Sequence, residues 1–184
     1  MSTLREMTAE VVNLNTVKGW RNVINPWGDY VALFHTEVSE ILENYRDRRL
    51  AAYTTATGKP DDVGSELADC LIRLLDMCDA HGFPVFDMDM ELADVAPIDP
   101  APEFELGGFG SWVAWLHDGA TEMWLSRDYA SPLMLRRLVA FCGRWNIDLA
   151  AEFERKMAYN WTRPYQHGGR TLADEESVTR GGAT

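Results

Sequence analysis

The chain has 184 residues, of which 46% are hydrophobic and 25% charged, a composition that predicts one packed domain and excludes wholesale disorder. Lys and Arg number 17 against 29 Asp and Glu, so the formal net charge is −12. Such an acidic surface repels nucleic-acid phosphate, which argues against a DNA or RNA partner. No stretch approaches the roughly 18 consecutive apolar residues of a membrane helix, so no membrane partner is expected either.

Cysteine usage and the N-terminal sequence bear on the compartment. The three cysteines show no C-x-x-C spacing, which disfavours a disulfide framework or a zinc ribbon and fits a reducing environment. Met1 to Asn13 carries no basic segment followed by an apolar run, so no signal peptide is predicted. The chain is therefore expected to be cytoplasmic.

The spacing of apolar residues predicts an all-α fold. They recur mostly at intervals of three and four, and alternating strand-like runs are scarce. Asp29 is the expected cap of the second helix, and Asp61 or Asp62 that of the third. The prediction is a helical bundle of about six helices, over about residues 3–20, 29–50, 62–80, 110–126, 132–145 and 146–161.

Residues 83–146 separate the third predicted helix from the last. Their first part, residues 83–106, contains four prolines and several acids, which predicts a connector with little regular structure. We interpret 83–146 as an insertion that carries two helices within a single domain over residues 1–172. Residues 173–184 are expected to form a disordered tail.

Two pairs of acids lie on consecutive predicted helices. Glu37 and Glu40 are three residues apart, which places them about 60° apart around the helix axis and about 4.5 Å apart along it. Glu66 and Asp69 repeat this spacing on the next helix. Helices joined by a modest loop usually pack antiparallel, so the four carboxylates are expected to face one another.

The position of these acids relative to the apolar stripes points to a cation. Glu37 and Glu66 each follow one apolar position by three residues and precede another by four, so both lie on an apolar face. Two like charges at 4 Å repel by about 4 kcal/mol at an effective dielectric near 20, and a buried carboxylate needs a partner. Oxygen ligands without histidine favour Mg²⁺ or Mn²⁺ over zinc or iron. The alternative is an ordinary amphipathic helix whose acids lie at the solvent edge.

Basic and amide residues gather towards the end of the chain. Lys156 and Asn160 share one face of the last predicted helix, with Tyr159 beside them and Arg163 just beyond. Lys and Arg commonly bind phosphate, and Asn can contact a base or a ribose. The alternative is a group of cations that complement the helix dipole.

Two residues near the end of the first predicted helix are further candidates. Lys18 is a candidate second phosphate contact, and Trp20 is a candidate to stack on a nucleobase. Core packing is the alternative role for the tryptophan. Neither a P-loop motif nor a Rossmann glycine motif occurs in the chain.

With these residues the chain resembles the all-α MazG-like nucleoside triphosphate pyrophosphohydrolases. The family pattern E-x-x-E, followed one helix later by E-x-x-D, matches Glu37, Glu40, Glu66 and Asp69. The segments HTEVSEILENYRDRRL, VGSELADCLIRLLD, KGW and ERKMAYNWTRPYQHGGR are also similar to the compact branch of that family. The resemblance covers about residues 14–82 and 147–172, and the long insertion between them departs from the compact members.

The resemblance implies a bacterial or phage-encoded helical bundle whose homodimer or homotetramer builds the site. Family members hydrolyse a nucleoside triphosphate between the α- and β-phosphates to the monophosphate and pyrophosphate, with Mg²⁺ held by the four acids. Lys156 and Arg163 would hold phosphates, and Tyr159 and Asn160 would contact the sugar or the base. Which nucleotide is the substrate stays open.

Glu40 is the expected general base, and Glu37 is assigned to catalysis as well as to metal binding. A di-iron carboxylate bundle is a poor alternative, because it needs Glu-x-x-His pairs that this chain lacks. The other alternative is a non-catalytic acidic helical module for interaction or nucleotide binding that keeps the fold. The presence of all four family acids argues against that second alternative.

Overall fold

A computed structural model describes residues 2–168 of the chain. The predicted tail, residues 173–184, lies outside the described residues. Residues 2–168 contain helices and no strand, so the all-α prediction is confirmed. Two 3₁₀ turns, Leu92–Asp94 and Tyr165–Gly168, accompany seven α-helices: α1 Leu4–Val17, α2 Trp27–Arg48, α3 Val63–Ala80, α4 Pro102–Glu105, α5 Phe109–Leu125, α6 Arg127–Trp145 and α7 Leu149–Thr162.

Capping residues explain where the two site helices begin. Asp62 caps α3, because its carboxylate accepts from the Ser65 backbone N–H while the Ser65 side chain bonds the Asp62 N–H in return. The predicted cap of α2 is wrong. Pro26 occupies the cap position with φ −55°, and Asp29 lies in the first turn, where its charge favours the helix dipole. As a result α2 begins two residues earlier than the sequence suggested.

Helix α3 is the centre of the molecule. It packs against α1, α2, α6 and α7, and most of its side chains are buried, among them Leu67, Leu71 and Leu74. On α2, Phe34 and Ile41 are fully buried against this core. The site acids of α2 and α3 therefore lie where these two helices pack on each other.

The insertion contains the two predicted helices, α5 and α6, which pack on each other, while α5 also packs on α2 and α6 on α3. An aromatic cluster joins them to the rest of the bundle: the Tyr45 ring of α2 stacks on Phe109 with centroids 3.6 Å apart, and Phe141 and Trp145 close around it. Helix α6 begins at Arg127 and not near Pro132, so the proline lies inside the helix, where it removes one backbone hydrogen bond and crowds the carbonyl four residues earlier. The turn before it is held by packing, because Ala130 and Ser131 are buried. The insertion is thus an integral layer of the bundle.

No helix among residues 2–168 is long and apolar enough to cross a membrane.

A histidine pair links the insertion to α2. The Nδ1 atoms of His35 on α2 and His117 on α5 lie 2.9 Å apart, with rings 13° from parallel and centroids 5.2 Å apart. The centroid separation equals this gap plus the two ring radii, so the rings lie end to end. One Nδ1 donates and the other accepts, and the space between them holds a single proton. His35 is therefore satisfied by a partner, as expected for a histidine beside a core.

This pair should make the stability of the bundle sensitive to acid. Burial lowers the pKa of both histidines, and the charge of His35 lowers that of His117 further. The unfolded chain then takes up protons more readily below about pH 6.5, so the free energy of unfolding falls as pH falls through this range. The double variant His35→Gln/His117→Gln should lose less melting temperature than wild type between pH 7 and pH 5. Parallel melting-temperature profiles for the two proteins would contradict this assignment.

Candidate metal centre

Packing of α2 against α3 brings three of the four predicted metal ligands together. Glu37, Glu40 and Glu66 each offer a carboxylate oxygen, and these three atoms lie within 4.8 Å of one another. Glu37 and Glu66 are buried, whereas Glu40 is the most open to solvent of the three. The cluster therefore has a closed inner side and an open side at Glu40, from which an ion can enter.

Glu66 is the least solvated acid of the group, with no exposed surface. Its Oε1 accepts from Asn44 Nδ2 and Ser65 Oγ at 3.4 Å each, and its Oε2 is buried with no hydrogen-bond partner among the described residues. Burial raises the pKa of Glu66 to about 8; the charge of Lys156 opposes this rise and that of Asp69 adds to it. A buried oxygen without a partner is costly, and a bound cation would supply the missing one.

Glu37 shares its charge with an arginine of α3. Arg73 Nε and Nη2 contact the same carboxylate oxygen, Oε1, at 3.0 and 2.9 Å. Burial raises the pKa of Glu37, the charge of Arg73 opposes the rise, and Asp69 and Glu40 add to it. Because both arginine contacts fall on one oxygen, the carboxylate keeps a second oxygen for a cation.

Asp69, the fourth predicted ligand, lies in an ion pair. Its Oδ2 is 2.6 Å from Lys156 Nζ, and the same ammonium is 3.8 Å from Glu66 Oε1. Lys156 is only 1% exposed, so this is a buried cation that α7 brings to α3. The structure thus places Lys156 beside the predicted metal ligands, and the roles of Asp69 in metal binding and of Lys156 in phosphate binding stay predictions.

The other predicted substrate contacts lie at and just beyond the end of α7. The Arg163 guanidinium lies 5.9 Å from the Tyr159 ring centroid, and burial lowers its pKa while the charges of Tyr159, Asp69 and Glu37 act in the opposite direction. Asn160 Oδ1, one turn after Lys156, is buried without a hydrogen-bond partner in the described part of the chain. Arg163 thus lies within electrostatic reach of Asp69 and Glu37, and the roles of Arg163, Tyr159 and Asn160 in substrate binding stay predictions.

Lys18 contacts the end of α7 in the structure, and its role as a phosphate contact stays a prediction. Its Nζ donates to the backbone carbonyls of Trp161 and Arg163, so in the structure the ammonium fastens the end of α7. The turn after Lys18 requires a glycine. Gly19 has φ 80°, and a Cβ at this position would lie 2.2 Å from the Tyr165 ring. Trp20, half-buried next to this turn, keeps its stacking role only as a prediction.

Sequence reasoning missed the polar residues that surround the acids. Arg48 Nη1 donates to Asn44 Oδ1 at 2.6 Å, and Asn44 in turn contacts Glu66. Arg73 follows Asp69 by four residues and Asn44 follows Glu40 by four, so helical spacing from the acids could have identified both. Lys59 comes from the loop between α2 and α3, where no periodicity applies.

Comparisons of the chain with family models, with curated proteins and with solved structures found no match. The case for the site therefore rests on the geometry of the described residues.

The Arg73–Glu37 pair makes a testable contribution to stability. Arg73→Met leaves a buried carboxylate without its partner and should reduce the free energy of unfolding by about 1 to 3 kcal/mol. Adding Glu37→Gln should recover part of this loss, since an amide carries no charge to bury. Urea denaturation of the two single variants and the double variant gives the coupling energy. Strictly additive losses would contradict a direct interaction.

Proposed function

We propose that this chain is a Mg²⁺-dependent nucleoside triphosphate pyrophosphohydrolase of the MazG-like kind, which releases pyrophosphate and leaves the monophosphate. The observation that carries the proposal is the carboxylate group Glu37, Glu40 and Glu66, together with the buried and unpartnered Oε2 of Glu66. A cluster of acids alone would be weak support. A buried acceptor without a donor, inside the same cluster, favours a cation at that place.

The ligand chemistry favours Mg²⁺, with Mn²⁺ as a substitute. The three acids provide only oxygen ligands, and no histidine or cysteine belongs to the group. The resemblance adds Asp69 as a fourth ligand, 2.6 Å from Lys156. When bound, the metal would neutralise phosphate oxygens and lower the pKa of a bound water.

The chain's own residues divide the remaining tasks. Glu40 is the most open acid of the group, so it is the best placed to take a proton from the attacking water. Lys156 and Arg163 supply positive charge where negative charge develops on the phosphates. Asn160 Oδ1 is an unpartnered acceptor for a hydroxyl or amino group of the nucleoside, next to Tyr159, and Trp20 is the candidate stacking partner of the base.

A second candidate is a non-catalytic nucleotide-binding or interaction module with the same fold. Two ion pairs favour this second candidate, because Arg73 and Lys156 already neutralise Glu37 and Asp69 without a metal. Such pairing is what a purely structural polar network would show. The unpartnered oxygen of Glu66 favours the enzyme, and the homodimer or homotetramer expected from the resemblance stays a prediction for either function.

The proposal predicts metal-dependent release of pyrophosphate. The test measures pyrophosphate from each ribo- and deoxyribonucleoside triphosphate with Mg²⁺, with Mn²⁺ and with EDTA. Release should need the metal and should fall at least about 100-fold in Glu37→Gln, since that variant removes a ligand and a charge. Glu43→Gln is the matched control, because Glu43 is an exposed acid on the same helix.

The outcomes separate the two candidates. Metal-dependent release that is lost in Glu37→Gln and kept in Glu43→Gln supports the enzyme. Binding of a triphosphate without any release would favour the non-catalytic module. Release that persists in Glu37→Gln would contradict the proposed centre.

A further inference from the structure

The loop between α2 and α3 is built to hold one lysine. Thr54 and Pro60 pair across the loop, the Thr55 N–H donates to the Lys59 carbonyl at 2.8 Å, and the Lys59 N–H donates to Thr55 Oγ1 at 3.0 Å. Gly58, with φ 84°, makes the tight turn between them. The backbone of Lys59 is thus fixed on both sides, although the loop has no regular structure.

The side chain of Lys59 pairs with an acid of its own loop. Its Nζ contacts Asp61 Oδ1 at 2.8 Å, and 35% of the side chain is exposed. The negative charges of Glu66 and Glu40 act on this ammonium. The lysine is therefore partly open to solvent and within electrostatic reach of the cluster.

A chain of contacts connects this lysine to the buried acid. Asp61, the partner of Lys59, also lies 3.6 Å from Arg48 Nη2. Arg48 donates to Asn44 Oδ1, and Asn44 Nδ2 contacts Glu66 Oε1. The position of the loop is thereby tied to the position of the proposed metal ligands.

The cations near the cluster differ in how well water would solvate their partner carboxylate if the cation moved away. Arg73 and Lys156 pair with Glu37 and Asp69, whose side chains are only 10% and 20% exposed, so their departure would leave a poorly solvated charge. Asp61 is 25% exposed and keeps Arg48 as a second partner. Lys59 can therefore leave its carboxylate at the lowest cost of the three.

We propose that Lys59 binds the terminal phosphates of the substrate, the part that leaves as pyrophosphate, by exchanging Asp61 for a phosphate oxygen. This inference rests on the proposed function, and it extends that function by a residue outside the family motif. A lysine is suited to the task because its ammonium is a compact charge on a flexible stem, with three donors that follow a moving group.

The test is binding of inorganic pyrophosphate in the presence of Mg²⁺, measured by calorimetry on the full chain. Lys59→Gln should weaken pyrophosphate binding by about 10- to 100-fold, the range for one charged hydrogen bond, and Lys59→Arg should restore most of it. The affinity for Mg²⁺ alone should change less than about 2-fold, because Lys59 is not a ligand of the metal. Arg46→Gln is the matched control, since Arg46 is an exposed cation near the end of α2.

Failure of this inference can be told apart from failure of the proposed function. Wild-type protein that binds Mg²⁺ and releases pyrophosphate, but whose Lys59→Gln variant binds pyrophosphate normally, overturns the role of Lys59 alone. An equal loss in Arg46→Gln overturns it too, because the effect would then be one of overall charge. Wild-type protein that binds neither Mg²⁺ nor pyrophosphate overturns both proposals.

Discussion

The rest of this structure depends on one electrostatic constraint: several carboxylates lie together at the border of a packed helix interface. At 4 Å, two such charges repel by about 4 kcal/mol even at an effective dielectric near 20. Glu66 has no exposed surface and Glu37 very little, so water cannot relieve this repulsion. The folded chain must therefore supply positive charge, protons or a bound cation at this place.

Cationic side chains of the chain itself supply part of this positive charge, and each belongs to a different element. Arg73 comes from α3, Lys156 from α7 and Lys59 from the loop between α2 and α3. Helix α7 is held in place by Lys18, whose ammonium binds two carbonyls at its end. These cations do not fully compensate Glu66. Its Oε2 has no hydrogen-bond partner among the described residues, and its pKa is raised to about 8. On the proposed function a bound metal ion would supply the missing partner of this oxygen, and a proton on the carboxyl group would be the alternative.

The sequence predicted those features that depend on interactions between residues close together in the chain. Spacing of three and four predicted the all-α fold and the pairing of Glu37 with Glu40 on one helix face. The sequence also limited the cap of α3 to Asp61 or Asp62, and the structure shows Asp62. It failed for Asp29, because a proline can provide the geometry of a helix start without a side-chain cap.

Contacts between distant elements could not be predicted in the same way. Lys156 and Asp69 are far apart in sequence, and only the packing of α7 on α3 brings them to 2.6 Å. Lys59 lies in a loop whose path depends on hydrogen bonds to Thr55 and Asp61. Similarly, the end-to-end contact of His35 with His117 requires the packing of the insertion on α2.

The central claim, that Glu66 and its neighbours form a cation site, is tested most directly by thermal unfolding with and without Mg²⁺. A ligand that binds only the folded chain raises the melting temperature, so saturating Mg²⁺ should stabilise wild-type protein and the control Glu43→Gln alike. Glu66→Gln should lose this gain, because the amide removes the charge and weakens the ligand. Equal stabilisation of Glu66→Gln by Mg²⁺ would contradict the account.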